Sequence, residues 1–323
     1  MGILELFIDI SDNNLERLVS DINEVEESIR DSSTCNIELI VSFAQYNFAT
    51  PRVMTTVTAF LKDLKVEHNY VEVIIIPPSE DSVKNYMSRF NFFEINPYCS
   101  EMPTYPYNKY NGSGRFIELR QFDDRTKDKV NDELTKLIKV QLRGSDDFKL
   151  SLAYSVIELT DNTCCHAEYD NGGHICVQPY HGSNEVEVSI VDRGIGIVNS
   201  LQDSEDFMFS DKTEILQASV QENISSKLKD PSRDHQGFGL YALNEFIKRG
   251  NGCLEIYANG AHLRTESGKT TVTETNNWKG TLIYFKLPIG FNVTQWAEIM
   301  NRLFVDRGYT IPDHLLELEE NIF

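Results

Sequence analysis

The chain has 323 residues, a length that predicts about two domains with sizeable cores. Its net charge of −20 argues against nonspecific nucleic-acid binding, because a phosphate backbone would repel it, and favours basic protein surfaces as partners. The six cysteines form no regular framework, and the sequence shows neither a signal peptide nor an apolar stretch of spanning length, which predicts a reduced, cytoplasmic setting without membrane contact.

The first hundred residues alternate between strand and helix patterns. Strands are predicted at 37–42 and 71–76, and helices at Thr50 onward and at 79–90, an alternation that favours a partly parallel sheet. This order, and above all the helix that ends in residues 86–93 (YMSRFNFF), resembles the STAS domains of anti-sigma-factor antagonists. We therefore assign residues 1–112 to a small STAS-like α/β domain and expect it to act as a docking module.

Thr50 lies at the start of the second predicted helix. In STAS antagonists a phosphorylatable Ser or Thr lies at such a helix start, and Thr50 is the nearest equivalent here. The alternative is ordinary helix capping, with Thr50 as the N-cap and Pro51 at the first helical position. We favour the cap, because the loop lacks a serine-rich acceptor signature, and leave the modification of Thr50 open.

A segment rich in Pro, Tyr, Asn and Gly, residues 97–115, separates the two halves of the chain. A strand at 116–122 follows, so residues 113–124 are predicted to form the linker and the first strand of the second half. The next predicted helix, 125–142, has an apolar side built on Val130, Leu134 and Leu137 and contains no histidine.

The following predicted helix carries one polar stripe, formed by Glu158, Asn162 and His166 at positions i, i+4 and i+8. Apolar spacing before the stripe, without Gly or Pro, predicts that this helix is buried. The amide oxygen of Asn162 is a hard ligand for Mg²⁺, and Glu158 can orient or deprotonate an attacking hydroxyl. The stripe suits magnesium-nucleotide chemistry, although a solvated polar face is an open alternative.

A strand pattern at 186–191 leads directly into Asp192, Gly194 and Gly196. A carboxylate at a strand end accepts a hydrogen bond from the exocyclic amine of adenine, whereas guanine offers an acceptor there. The glycines allow the backbone to approach the base. A plain tight turn is the alternative, so the motif indicates an adenine site only in combination with others.

Two further motifs follow in the chain. The run Gly237-Phe238-Gly239-Leu240 opens an apolar helix, and glycines at a helix start present free N–H groups to phosphate. Thr281 begins a final strand, where its hydroxyl can complete an adenine contact. A loop-to-helix junction explains the first motif equally well when it is taken alone.

Together and in this order, the four motifs resemble those of the GHKL ATPases, the superfamily of gyrase, heat-shock protein 90, histidine kinases and MutL. The resemblance covers roughly residues 158–287 and implies a Bergerat fold, an α+β sandwich with ATP between the helical layer and a lid. It implies an ATP site formed by Glu158, Asn162, His166, Asp192, Gly194, Gly196, Gly237, Phe238, Gly239, Leu240 and Thr281. We assign residues 125–290 to this ATPase domain and residues 291–323 to a helical tail.

A long loop, residues 198–236, separates the second motif from the third and is predicted to contain a helix at 213–223. Loops of such length are usually functional or disordered. Kinase relatives carry a similar hydroxyl-and-basic segment just before the third motif, which implies Lys227 and Arg233 as phosphate ligands. A solvated loop is the alternative for both residues.

Two other patterns are rejected. The run from Ser267 to Thr270 imitates a P-loop, but Leu263 stands where that loop requires glycine, so a hairpin tip is predicted. A zinc site is not expected, because CxxC spacing is absent from the cluster of Cys164, Cys165, His166, His174 and Cys176.

We expect a Mg²⁺-dependent regulatory protein that binds and hydrolyses ATP, with Glu158 as the catalytic residue and Asn162 as the metal ligand. The first alternative is a serine/threonine kinase acting on a STAS-domain partner, since the spacing resembles anti-sigma kinases most closely. The second is a non-hydrolysing ATP sensor in a toxin–antitoxin or phage-defence module. The absence of a histidine on helix 125–142 argues against a sensor histidine kinase, and the short tail argues against a gyrase-like clamp. The expected partner is a STAS-type, sigma-like or toxin-like protein, and a homodimer is also compatible with the sequence.

Overall fold

The computed structural model describes residues 3–32, 36–99, 114–166, 172–202, 211–222, 224 and 239–290, with the backbone alone at 165 and 166. Within these ranges the protein is of the mixed α/β class, as the sequence predicts, and has one three-stranded and one seven-stranded sheet. None of the helices in these ranges combines the length and apolarity that crossing a bilayer requires.

The smaller sheet is parallel and has the strand order β1-β2-β3. One face is buried, with Leu39, Val41 and Ile75 fully enclosed, whereas Phe7 on the opposite face is 59% exposed. The crossovers through α1 and α2 run in the same direction, so right-handed connections place both helices on the buried face. The elements are β1 (Leu4–Asp9), α1 (Leu15–Asp31), β2 (Ile37–Ser42), α2 (Pro51–Glu67), β3 (Glu72–Ile76), α3 (Asp81–Arg89) and α4 (Phe92–Ile95).

The larger sheet is antiparallel throughout, in the order β4-β5-β6-β10-β7-β8-β9. The helices α5 and α9 both pack on α6, and the three share a core with apolar side chains of the sheet. The elements are β4 (Ile117–Phe122), α5 (Lys127–Gln141), α6 (Asp146–His166), β5 (Gly173–Tyr180), β6 (Glu185–Asp192), α7 (Ile197–Gln202), α8 (Lys212–Ser219), α9 (Gly239–Arg249), β7 (Cys253–Ala258), β8 (Ala261–Glu266), β9 (Lys269–Glu274) and β10 (Thr281–Pro288).

Helix α2 lies between the two sheets. It contacts β5 and β6 of the larger sheet, and its side chains share a core with both sheets, including Val191, Leu282 and Tyr284. Residues on every side of the helix are buried, including three threonines, Thr55, Thr56 and Thr58, among the apolar side chains. The first part of the chain therefore covers one face of the seven-stranded sheet.

Most elements predicted from the sequence are confirmed, namely β2, α2, β3, α3, β4, α5, α6, β6, α9 and β10. The helix predicted at 213–223 is shorter, since α8 ends at Ser219. Ser267 and Gly268 form the turn between β8 and β9 with positive φ angles of 51° and 75°, which confirms the hairpin tip. The predicted tail, residues 291–323, lies outside the described residues, and the domain boundaries stay predictions.

Thr50 does occupy the N-cap position of α2, but its side chain makes no capping hydrogen bond. Its hydroxyl instead donates to Oδ1 of Asn13 at 2.6 Å, and the Tyr46 hydroxyl donates to the same oxygen at 2.6 Å. Because Thr50 is only 3% exposed, the hydroxyl is buried at the start of α2, against the loop between β1 and α1.

Candidate functional site

Helix α6 positions Glu158 and Asn162 one turn apart, and both side chains are half-buried. Apolar side chains at Leu152, Val156 and Leu159 anchor the helix in the core. Two polar contacts fix it to α5: Lys127 pairs with Asp161 at 2.8 Å, and the Thr160 hydroxyl donates to Oδ1 of Asn131 at 3.2 Å. The part of the helix that carries the predicted polar stripe, as far as Asn162, is thus fixed to α5 and to the core.

Burial, together with the nearby charge of Asp161, raises the pKa of the Glu158 carboxyl to about 8. At neutral pH the side chain is therefore mostly protonated. A carboxyl in this state can donate a hydrogen bond, and it becomes a base as the pH rises through 8 or as a cation approaches.

Gly239, the first residue of α9, lies directly against Glu158. A Cβ atom on Gly239 would lie 2.6 Å from Cβ of Glu158 and 3.0 Å from its Oε2, which is closer than van der Waals contact allows. The start of α9 can contact Glu158 on α6 this closely only because residue 239 is glycine. Leu240, the next residue, is 7% exposed and belongs to the core, so its side chain contributes packing.

Asp192 ends β6 and is 5% exposed. Its Oδ1 atom accepts hydrogen bonds from the backbone N–H of Gly194 at 2.9 Å and of Thr281 at 3.2 Å. Burial raises the pKa of this carboxyl to about 6, while the two backbone hydrogen bonds oppose the rise, so the group is ionised at neutral pH. One carboxylate oxygen thus joins the motif after β6 to the motif that begins β10.

Thr281 and Asn259 shape the loop that carries Gly194 and Gly196. The Thr281 hydroxyl accepts from the N–H of Ile197 at 3.2 Å. The Asn259 amide donates to the carbonyl of Ile195 at 3.0 Å, and Gly196 has a φ of 81° and no room for a Cβ against Asn259 and the Gly280 carbonyl. The glycine at 196 is required both by its left-handed backbone and by this close approach.

Asn259 is a site residue that the sequence interpretation missed. It has a positive φ of 51° and begins the tight turn between β7 and β8 together with Gly260. An Asn-Gly pair between two strand patterns is a strong hairpin signal. That signal predicts the turn, although nothing local indicates that the amide reaches across to residue 195.

Five residues of the predicted ATP site cannot be placed. Lys227, Arg233, Gly237 and Phe238 lie outside the described residues, and of His166 the backbone alone is described. In the described part of the chain, no group of three or more His, Cys, Asp or Glu residues is arranged to hold a metal ion. His174 and Cys176 are buried in β5.

The oxygen atoms near the stripe are of the kind that Mg²⁺ prefers. Asn162 offers an amide oxygen and Glu158 a carboxyl, whereas Asp161 is engaged with Lys127. Protein sites for Mg²⁺ in nucleotide enzymes supply one or two such ligands and leave the other positions to phosphate and water. Asn162 and Glu158 therefore supply oxygen atoms of the kind that such an Mg²⁺ site needs.

Comparison of the chain with protein-family models and with curated proteins gives no match.

Proposed function

We propose that the protein is a Mg²⁺-dependent, ATP-binding and ATP-hydrolysing regulator of a protein partner, built from a STAS-like unit and a GHKL-type ATPase unit with a Bergerat fold. The observation that carries this proposal is the pairing of motifs that lie far apart in the chain. Gly239 packs on Glu158, and the backbone N–H of Thr281 donates to Asp192. A cytoplasmic location and an acidic surface suited to a basic partner complete the proposal.

In this proposal the Asp192 carboxylate recognises adenine. Both of its backbone hydrogen bonds fall on Oδ1, and we assign Oδ2 to the exocyclic amine of the base. Because the pKa of about 6 keeps the group ionised at pH 7, it acts as an acceptor and rejects guanine, which presents an acceptor of its own. The hydrogen-bonded loop through Asn259 and Gly196 keeps the backbone close to the base.

The phosphates are assigned to the glycine-containing start of α9 and to Asn162. Free N–H groups at a helix start donate to anions, and the helix dipole adds to the attraction. Asn162 would hold Mg²⁺, which would neutralise part of the charge of the phosphates. Glu158 orients the attacking water and accepts its proton once the carboxyl is ionised.

The raised pKa of Glu158 gives weight to a second candidate, a nucleotide sensor that binds ATP without hydrolysing it. A carboxyl with a pKa of about 8 is a poor base at pH 7 unless its surroundings change on binding. A sensor requires only the adenine and phosphate contacts and no general base.

Incubation of the purified protein with Mg²⁺ and γ-labelled ATP tests the proposal. Free phosphate and protein-bound label are followed separately, with and without an added STAS-domain protein, for the wild type, Glu158→Gln and a control variant, Glu133→Gln, on α5. We expect free phosphate from the wild type and the control, and at least a hundredfold less from Glu158→Gln with unchanged ATP affinity.

Label on the added STAS-domain protein would show that the protein is a kinase and not a hydrolase. ATP binding without release of phosphate and without label on any protein would show that the protein is a nucleotide sensor. A wild type that binds no ATP, measured by calorimetry, would refute every nucleotide function.

A further inference from the structure

A cluster of buried charges joins the first part of the chain to the loop after β6. Arg193, which is 1% exposed, pairs with Asp63 of α2 at 3.2 Å and also with Glu26 of α1. The guanidinium carbon lies 4.4 Å from the centroid of the Trp278 ring. A buried arginine requires such partners, because an uncompensated charge in the interior is strongly destabilising.

The same carboxylate of α2 holds a second cation. The Nζ atom of Lys279 lies 3.0 and 3.1 Å from the two carboxylate oxygens of Asp63, and it also pairs with Glu67. Asp63 is 2% exposed. One buried carboxylate therefore bridges two cations that are 86 residues apart in the chain, at 193 and 279.

Both cations are adjacent to the candidate adenine site. Arg193 directly follows Asp192, and Lys279 precedes Thr281 by two residues. The two segments are in close contact: Nε1 of Trp278 donates to the Asp192 carbonyl at 3.3 Å, and a Cβ on Gly280 would lie 2.6 Å from Cα of Arg193. A displacement of either cation is therefore transmitted to the backbone that carries Asp192 or Thr281.

We propose that Asp63 is a positioning residue through which the first part of the chain sets the affinity of the adenine site. The inference rests on the proposed function. Asp63 holds the side chains of Arg193 and Lys279 in one cluster and so fixes both backbone segments. Without its charge, Arg193 keeps Glu26 and Lys279 keeps Glu67 as partners, but the two cations no longer share one anion, and the backbone at Asp192 and Thr281 loses the constraint that aligns it for adenine.

Coupling of this kind is reciprocal. If Asp63 tightens nucleotide binding, then bound nucleotide also strengthens the contact of α2 with the sheet. A partner that displaces α2 or α1 would lower nucleotide affinity, and nucleotide would oppose that partner. The coupling between partner binding and nucleotide binding would thus depend on the carboxylate of Asp63.

The variant Asp63→Asn tests this inference because it removes the charge and keeps the shape. Glu133→Gln is the matched control: it breaks the 2.8 Å pair with Arg120, which retains Glu118, just as Arg193 retains Glu26. We expect Asp63→Asn to raise the KM for ATP at least tenfold with kcat at saturation within twofold of the wild type. The control should change both values less than twofold.

A merely structural effect has a different signature, since a lower folded fraction reduces kcat and leaves KM unchanged. Hydrogen exchange without nucleotide gives an independent readout. In Asp63→Asn, amides of residues 193–197 and 279–282 should exchange at least fivefold faster, whereas those of β8 should not change.

Equal KM values together with equal exchange rates in the wild type and Asp63→Asn would overturn the inference. If the wild type binds no ATP, the proposed function fails, and the exchange rates alone decide whether Asp63 positions the two segments.

Discussion

Replacement of Gly239 by alanine tests the contact on which the candidate site depends. The added Cβ would lie 2.6 Å from Cβ of Glu158, whereas carbon atoms in contact are about 3.5 Å apart, so the start of α9 must move by roughly 1 Å. The tip of Glu158 can rotate away, but its Cβ is fixed to α6. Overpacking of this kind costs about 1–3 kcal/mol, and the better helix propensity of alanine returns less than about 1 kcal/mol.

We therefore expect Gly239→Ala to lower the free energy of unfolding by about 1–2 kcal/mol, after the propensity gain is subtracted from the overpacking cost. Urea denaturation measures this as a lower midpoint with an unchanged slope. Gly182→Ala is the control, because a Cβ there meets nothing within 4 Å, and its effect should stay within about 0.5 kcal/mol. Equal midpoints for the two variants would show that α9 does not approach Glu158 so closely.

Three further predictions concern single side chains. The pKa of Glu158 is raised in the folded state to about 8, so the stability that its protonated form contributes is fully present below about pH 4.5 and is lost as the pH rises toward 8. Between pH 5 and 8, Glu158→Gln should therefore become progressively more stable relative to the wild type. Thermal denaturation measures this, and parallel stability curves for the two proteins over this pH range would contradict it. Asn259→Ala removes the hydrogen bond to Ile195 and should cost about 1–2 kcal/mol in urea denaturation, whereas no change would mean that the loop does not need the amide. The buried hydroxyl of Thr50 should resist phosphorylation in the folded protein, and stoichiometric label at Thr50 in intact-mass and peptide measurements would disprove it.

The parts of the fold that could be predicted from the sequence are those specified by neighbouring residues. The strand pattern before Asp192, the apolar helix after Leu240 and the hairpin at Ser267 all depend on local periodicity or turn chemistry, and the structure has them. The polar spacing on α6 likewise follows from helical geometry.

Contacts between distant residues could not be predicted in this way. Asp63 and Arg193 are separated by 130 positions, and no pattern around either residue indicates the other. The close approach of Gly239 to Glu158 depends on how α9 crosses α6, which helix periodicity alone does not determine. The burial of α2 has a faint signal, since its apolar and threonine side chains surround the helix, but the sequence does not tell which surface covers the second side.

The position of α2 between the two sheets has a consequence for how the protein unfolds. Separation of the sheets would expose apolar side chains of α2 together with Val191, Leu282 and Tyr284. It would also break the buried ion pair between Asp63 and Arg193. Neither half can then melt while the other stays intact. We expect a single calorimetric transition, with equal calorimetric and van 't Hoff enthalpies, in a chain whose sequence suggests two units. Two separated transitions would show that α2 belongs energetically to the smaller sheet alone.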